Sequence, residues 1–219
     1  MTPSTFKFLR DLRRNNNREW FHSQQEQYQA ARSEVVELVT AVHALLVKED
    51  GDLSVVDPAR SLFRINRDIR FSANKSPYKT NFGAFLSAGG KTGPQAGYYL
   101  HFEPGASILA GGCWMPEPVA LSRIRQEIDY NLEAFQSILK APAFRKHFGA
   151  LDREGELTRP PRGYTADNPA LNWLRLKSFT TSCALEDDEL MAPRAEVRLA
   201  KKFSAMVPLV RFLNRALVS

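Results

Sequence analysis

The spacing of apolar residues changes along the chain, and each change marks a different kind of element. From Pro3 and Ser4, which suit a helix start, Phe6, Leu9 and Leu12 recur at helical spacing until Asn15, Asn16 and Asn17 interrupt them. That spacing predicts a short helix. Asn17 then caps a longer one, whose Trp20, Tyr28, Ala31, Val35, Leu38, Val42 and Leu45 make one apolar stripe. It is expected to run to about Lys48, with Gly51, Asp52 and Pro58 ending it.

At Leu62 the period drops to two. Phe63, Ile65, Ile69 and Phe71 take one side and Arg64, Asn66, Asp68 and Arg70 the other, which predicts a strand with an apolar and a charged face. Arg67 falls on the apolar side, so its guanidinium needs a carboxylate or carbonyl partner. Residues 81–87 read as another strand, followed by a loop with Gly89, Gly90 and Gly93. A hairpin is the clearest feature: Tyr98, Leu100 and Phe102 alternate with Tyr99, His101 and Glu103, Pro104-Gly105 turns the chain, and Ile108 to Trp114 return.

Beyond Met115, prolines open a helical section carried by Leu121, Ile124, Ile128, Phe135, Ile138 and Leu139, with a short helix after Pro142. Residues 152–168 are polar and read as a surface excursion, and Leu174 to Thr181 as a last strand. The closing stripe of Val197, Ala200, Phe203, Val207, Val210 and Leu213 is helical, with a kink expected at Pro208. Asp187, Asp188 and Glu189 suit a helix start. The sum is an α+β fold in one domain over residues 1–219: a mainly antiparallel sheet covered by the long N-terminal helix and the C-terminal helices.

Composition narrows the class. With 219 residues, 43% apolar and 25% charged, the chain can bury a core unaided, which excludes a disordered or fibrous protein. No apolar run approaches the roughly 18 residues of a membrane span and the start lacks a signal-peptide core, so a cytoplasmic protein with no membrane partner is expected. Cys113 and Cys183, seventy positions apart, fit reduced structural thiols, and His22, His43 and His147 lack metal spacing. No cofactor and no metal is expected.

Charge changes the picture most. Of the formal net charge of +6, a window of twenty residues holds +5: Arg60, Arg64, Arg67, Arg70, Lys75 and Lys79 against Asp68. The remainder of the chain is nearly neutral.

The blocks NREWFHSQQEQY (17 to 28), FRINRDIRFSANKSPYKTNFG (63 to 83) and GYYLHFEPGASILAGGCWMPEP (97 to 118) resemble the bacterial and fungal family catalogued as domain of unknown function 2461, and the likeness extends over nearly the whole chain. The resemblance implies no activity, substrate or cofactor and carries over no residue role. Function therefore rests on the residues themselves.

Around the basic run, Arg64, Arg70, Lys75, Tyr78 and Lys79, with Ser72, Ser76, Thr80 and Asn81, supply the donors that phosphate or carboxylate oxygens need. The expectation is an anion-binding module for a phosphate-bearing ligand or nucleic acid, with Tyr78 and Tyr98 placed to stack on bases. The competing reading is a solvated ion-pair ladder in which Arg64 and Arg70 flank Asp68 on one sheet face and pair across strands with Glu103 and other acids. On the hairpin, Tyr99, His101 and Glu103 share a face. His101 with Asp68 or Glu103 would make an acid/base group for an enzyme acting on a small phosphorylated or carboxylated substrate, against the alternative of a satisfied structural histidine. A third possibility is an interaction protein that uses its basic face for an acidic partner. GGKTG at 89 to 93 has Phe85 where a phosphate loop needs glycine, so it reads as a hairpin tip. A pocket shared by Arg64 and His101 favours the enzyme, and an open basic groove favours nucleic acid.

Overall fold

The first two apolar stripes become three helices in the computed structural model, which describes residues 1–218: α1 (Pro3–Arg14), α2 (Arg18–Ser23) and α3 (Gln25–Leu46). Asn17 caps as predicted, its side-chain oxygen accepting from the Trp20 amide at 2.9 Å. The long helix nevertheless breaks at Gln24. There the Ser23 hydroxyl bonds back to the Trp20 carbonyl at 2.8 Å, a local bond that competes with helix continuation.

The start of α1 is capped from outside. The Thr2 amide and hydroxyl and the Thr5 hydroxyl donate to the Glu34 carboxylate of α3 at 2.8, 2.7 and 2.8 Å. Burial alone would raise the Glu34 pKa, but these hydrogen bonds hold it below the usual carboxylate range. Glu34→Ala is expected to destabilise by about 1–2 kcal/mol. Because the folded-state pKa is depressed, the Glu34 contribution is present at neutral pH and is lost as pH falls through that pKa, so urea unfolding should separate wild type from variant in neutral buffer and bring them together in acid.

Four strands pair in sequence order as one antiparallel sheet: β1 (Phe82–Leu86), β2 (Gly97–Phe102), β3 (Ser107–Cys113) and β4 (Phe179–Leu185). The hairpin forms as its alternation dictates. Tyr98, Leu100 and Phe102 are fully buried, while Tyr99 and His101, on the other side, are partly exposed. The remaining helices are α4 (Pro118–Tyr130), α5 (Leu132–Lys140), α6 (Pro142–His147), α7 (Leu171–Leu174), α8 (Asp187–Met191), α9 (Ala195–Ser204) and α10 (Val207–Val218). Among the described residues no helix is long and apolar enough to cross a membrane.

The chain divides into two compact units. The first takes Met1–Leu86, Tyr99–Leu109 and Ala184–Ala200. Its core is built from Phe6, Leu9 and Leu12 of α1 and Val35, Val39 and Val42 of α3, together with Phe102 and Leu109. The second takes Ser87–Tyr98, Ala110–Cys183 and the chain from Lys201 onward. There α4 and α5 pack on α10 around Ile124, Ile128, Phe135 and Phe212, and Tyr98 meets the Phe203 ring edge-on at 5.3 Å.

Three sequence expectations are corrected. Residues 62–71 do not form a strand; they carry only isolated bridges, Leu62 to Ala84 and Asn66 to Tyr78. Of the predicted apolar side only Ile65 is buried, and Phe71 is 96% exposed. Instead Arg67 folds the segment back on itself: its guanidinium donates to the Ser76 carbonyl at 3.0 Å and the Ser72 hydroxyl at 3.2 Å, which supplies the carbonyl partner the sequence called for. The last strand starts at Phe179, because 171–174 is a helical turn that buries Leu174. Pro208 does not kink a helix. It is the second residue of α10, where a missing N–H is harmless, and α9 has already ended at Ser204.

Candidate functional site

The period of two in β2 sends Tyr99 and His101 to one side of the hairpin, and Glu103 follows them just past the strand. Opposite them, on β1, stands Gly83. A Cβ there would lie 2.8 Å from the Tyr99 hydroxyl, so glycine is what lets the phenol lie across β1. Phe63 meets the Tyr99 ring edge-on at 6.3 Å. Phe63, Arg64, Lys79, Asn81, Gly83, Tyr99 and His101 thereby enclose a hollow of about 190 Å³.

The hydrogen bonds below it form a line. His101 Nε2 lies 3.0 Å from Glu103 Oε2, and His101 Nδ1 lies 3.0 Å from the Tyr99 hydroxyl and 3.3 Å from the Asn81 amide nitrogen. A carboxylate can only accept, so Nε2 carries the proton; in the neutral ring Nδ1 then accepts from the Tyr99 O–H and the Asn81 N–H. Glu103 is held at its other oxygen by Arg13 of α1 at 2.7 Å and by the Thr80 hydroxyl at 3.1 Å. Burial would raise the Glu103 pKa, but the His101 and Thr80 hydrogen bonds and the charges of His101 and Arg13 lower it. Burial, and secondarily the charge of Glu103, raises the Tyr99 pKa, so the phenol remains a proton donor.

Among the described residues no carboxylate lies within 4 Å of Arg64 or Lys79. Lys79 sits 5.5 Å from the centre of the Phe63 ring, and burial, then the neighbouring Arg64, lowers its pKa. Two positive groups thus line one space, the half-buried Lys79 and the exposed Arg64, with no carboxylate in contact and Asp68 acting on Arg64 only from farther away.

The sequence-predicted residues divide between this hollow and its surroundings. Arg64, Lys79 and His101 line it together, with Glu103 behind His101. Arg70 and Asp68 do not line it; they pair with each other at 2.7 and 3.0 Å, a local pair and not a cross-strand ladder, since Glu103 is taken by Arg13. Lys75 donates to the Ile69 carbonyl at 3.1 Å, also outside the hollow. The expectation that Tyr78 and Tyr98 stack on bases is corrected: Tyr78 is buried in a stack with Phe21, centroids 3.9 Å apart, and Tyr98 is wholly buried. Residues 88–95 form the turn between β1 and β2, with no helix after Thr92, in keeping with the rejection of GGKTG as a phosphate loop.

Sequence reasoning missed Phe63 as a wall, Gly83 as the space for Tyr99 and Arg13 as the anchor of Glu103. The first two sit beside singled-out residues, but Arg13 lies 90 positions from Glu103 and carries no local signal. Among the described residues no cluster of three His, Cys, Asp or Glu is arranged to hold a metal ion.

In comparison with known proteins, residues 4–212 match the family model described as conserved hypothetical protein (DUF2461). No curated protein and no solved structure matches the chain.

Proposed function

The chain belongs to the DUF2461 family of conserved hypothetical proteins, whose description names no activity, and we propose from the geometry that its hollow binds a small phosphate-bearing ligand. One observation carries the reading: Arg64 and Lys79 line the same space as the Asn81 amide, and among the described residues no carboxylate lies within 4 Å of either. Two like charges in a partly desolvated site repel, and an anion between them relieves that repulsion while accepting their hydrogen bonds. A hollow of about 190 Å³ suits a single anionic group. Nucleic acid is disfavoured, because Arg70 is neutralised by Asp68 and both tyrosines proposed for stacking are buried.

A second reading, an enzyme, is favoured by the Tyr99, His101, Glu103 line. A proton drawn from a bound substrate can pass through the Tyr99 hydroxyl to His101 Nδ1, leaving an imidazolium that faces the Glu103 carboxylate. In this reading Arg64 and Lys79 hold the substrate, and Glu103 fixes the tautomer that keeps Nδ1 open to receive the proton.

Calorimetry with inorganic phosphate, sugar phosphates, nucleoside monophosphates and dicarboxylates, alongside single- and double-stranded oligonucleotides over a salt series, tests both. Small phosphates are expected to bind, with affinity reduced more than about tenfold in Arg64→Ala. His101→Asn should leave that binding within a few-fold and abolish any turnover of the bound compound. Tight oligonucleotide binding that weakens steeply with salt would overturn the small-ligand reading.

A further inference from the structure

We propose that the ligand carries two phosphate groups, the second of them held in an adjoining hollow reached across Lys79. The proposal rests on the phosphate reading of the first hollow. The adjoining hollow holds about 380 Å³ and shares Lys79 and Asn81 with the first, so a molecule filling both passes over these two side chains. Alone, the first hollow falls below the roughly 300 Å³ at which small-molecule pockets usually begin; the pair lies inside that range.

Charge points the same way. The second hollow contains Arg67, whose guanidinium is oriented by two neutral acceptors, the Ser76 carbonyl and the Ser72 hydroxyl, and has no carboxylate within 4 Å among the described residues. Arg13, on its rim, is already matched by Glu103. Three cations with no carboxylate in contact, Arg64, Lys79 and Arg67, therefore line the joined space, with Lys79 shared between its halves. One phosphate, with at most two negative charges near neutral pH, leaves part of this charge unopposed, whereas two phosphates, with up to four, cover it. The far wall is rigid enough to select spacing: the Asn16 side chain clamps the Tyr78 peptide, donating to its carbonyl at 2.9 Å and accepting from its amide at 3.1 Å. Within the site Phe63, whose ring centre lies 5.5 Å from the shared Lys79 ammonium, offers an apolar surface against which the carbon frame of a sugar can rest.

The test compares a hexose monophosphate, the matching hexose bisphosphate, inorganic phosphate and a short oligonucleotide by calorimetry at fixed ionic strength. The bisphosphate is expected to bind at least about tenfold more tightly than the monophosphate, since its second group binds at high effective concentration. Ser76→Glu, which sets a carboxylate beside Arg67, should erase that advantage and leave monophosphate binding unchanged. Arg67→Gln keeps a donor for the Ser76 carbonyl and removes only charge, so it repeats the result should the first variant disturb the loop. Arg159→Ala, in the second unit, controls for general charge. Equal affinity for mono- and bisphosphate, or an advantage that survives both variants, overturns the two-hollow proposal while leaving the first hollow standing. Failure of every phosphate to bind overturns both, and oligonucleotide binding stronger than that of the bisphosphate replaces the small ligand with a polymer.

Discussion

Lys79→Met is expected to reduce small-phosphate affinity by more than about tenfold while leaving the fold as stable as wild type or up to ~1 kcal/mol more stable. Methionine keeps the apolar stem against Phe63 and discards the ammonium that burial and Arg64 disfavour. A lysine whose folded-state pKa is lowered binds its proton less tightly folded than unfolded, which is a penalty at neutral pH. The penalty fades as pH rises through the lowered pKa and is gone above the ordinary value near 10.4. Wild type should therefore close any stability gap to the variant as the buffer becomes alkaline. Binding moves the other way: an anion favours charged Lys79, so wild-type affinity falls as pH rises through the lowered pKa, and the residual affinity of the variant lacks that dependence. Denaturant unfolding and calorimetry at neutral and alkaline pH read both. A variant that binds normally and unfolds more easily would make Lys79 a structural residue.

Gly112→Ala is expected to destabilise by about 3–5 kcal/mol or to prevent accumulation of folded protein. Gly112 has φ +116°, and a Cβ there would lie 2.0 Å from the Phe179 carbonyl oxygen and 3.0 Å from Thr180 Cα. These are backbone atoms of β4 and its start, so nothing flexible can move aside. Gly105, at the turn of the hairpin, has φ +70° with nothing within 4 Å of its notional Cβ. Gly105→Ala should therefore show the backbone strain alone, about 1 kcal/mol. Urea unfolding of the two variants separates the steric term from the conformational one. Similar losses would mean that β3 and β4 can part at Gly112 without penalty.

What was legible in the sequence follows from how local each cause is. The hairpin was readable because its alternation, its Pro104-Gly105 turn and its buried face lie within seventeen residues of one another. So were the candidates Arg64, Lys79 and His101, since charge density and a spacing of two are local properties. The segment 62–71 was misread because alternation describes side-chain direction and says nothing of what covers the apolar side; Ile69 and Phe71 meet no second layer, and Arg67 turns the chain back. Tyr78 looked like a ligand platform from its basic neighbours, but Phe21 of α2, 57 positions earlier, claims its face. The ladder expected Glu103 opposite Arg64 and Arg70, but Glu103 pairs with Arg13 and Arg70 with its near neighbour Asp68, since only the folded chain brings α1 to the end of β2.

The way the chain threads its two units has a genetic consequence. The unit that holds the hollow is assembled from three separate stretches, and β2 and β3 each begin in one unit and finish in the other. No uninterrupted cassette of the gene encodes either unit alone. Recombination that exchanges contiguous segments can trade the turn at 88–95 or the excursion at 152–168, but it cannot lift out the whole unit that holds the hollow. Point substitution at the walls of the hollow is the change that leaves this threading untouched.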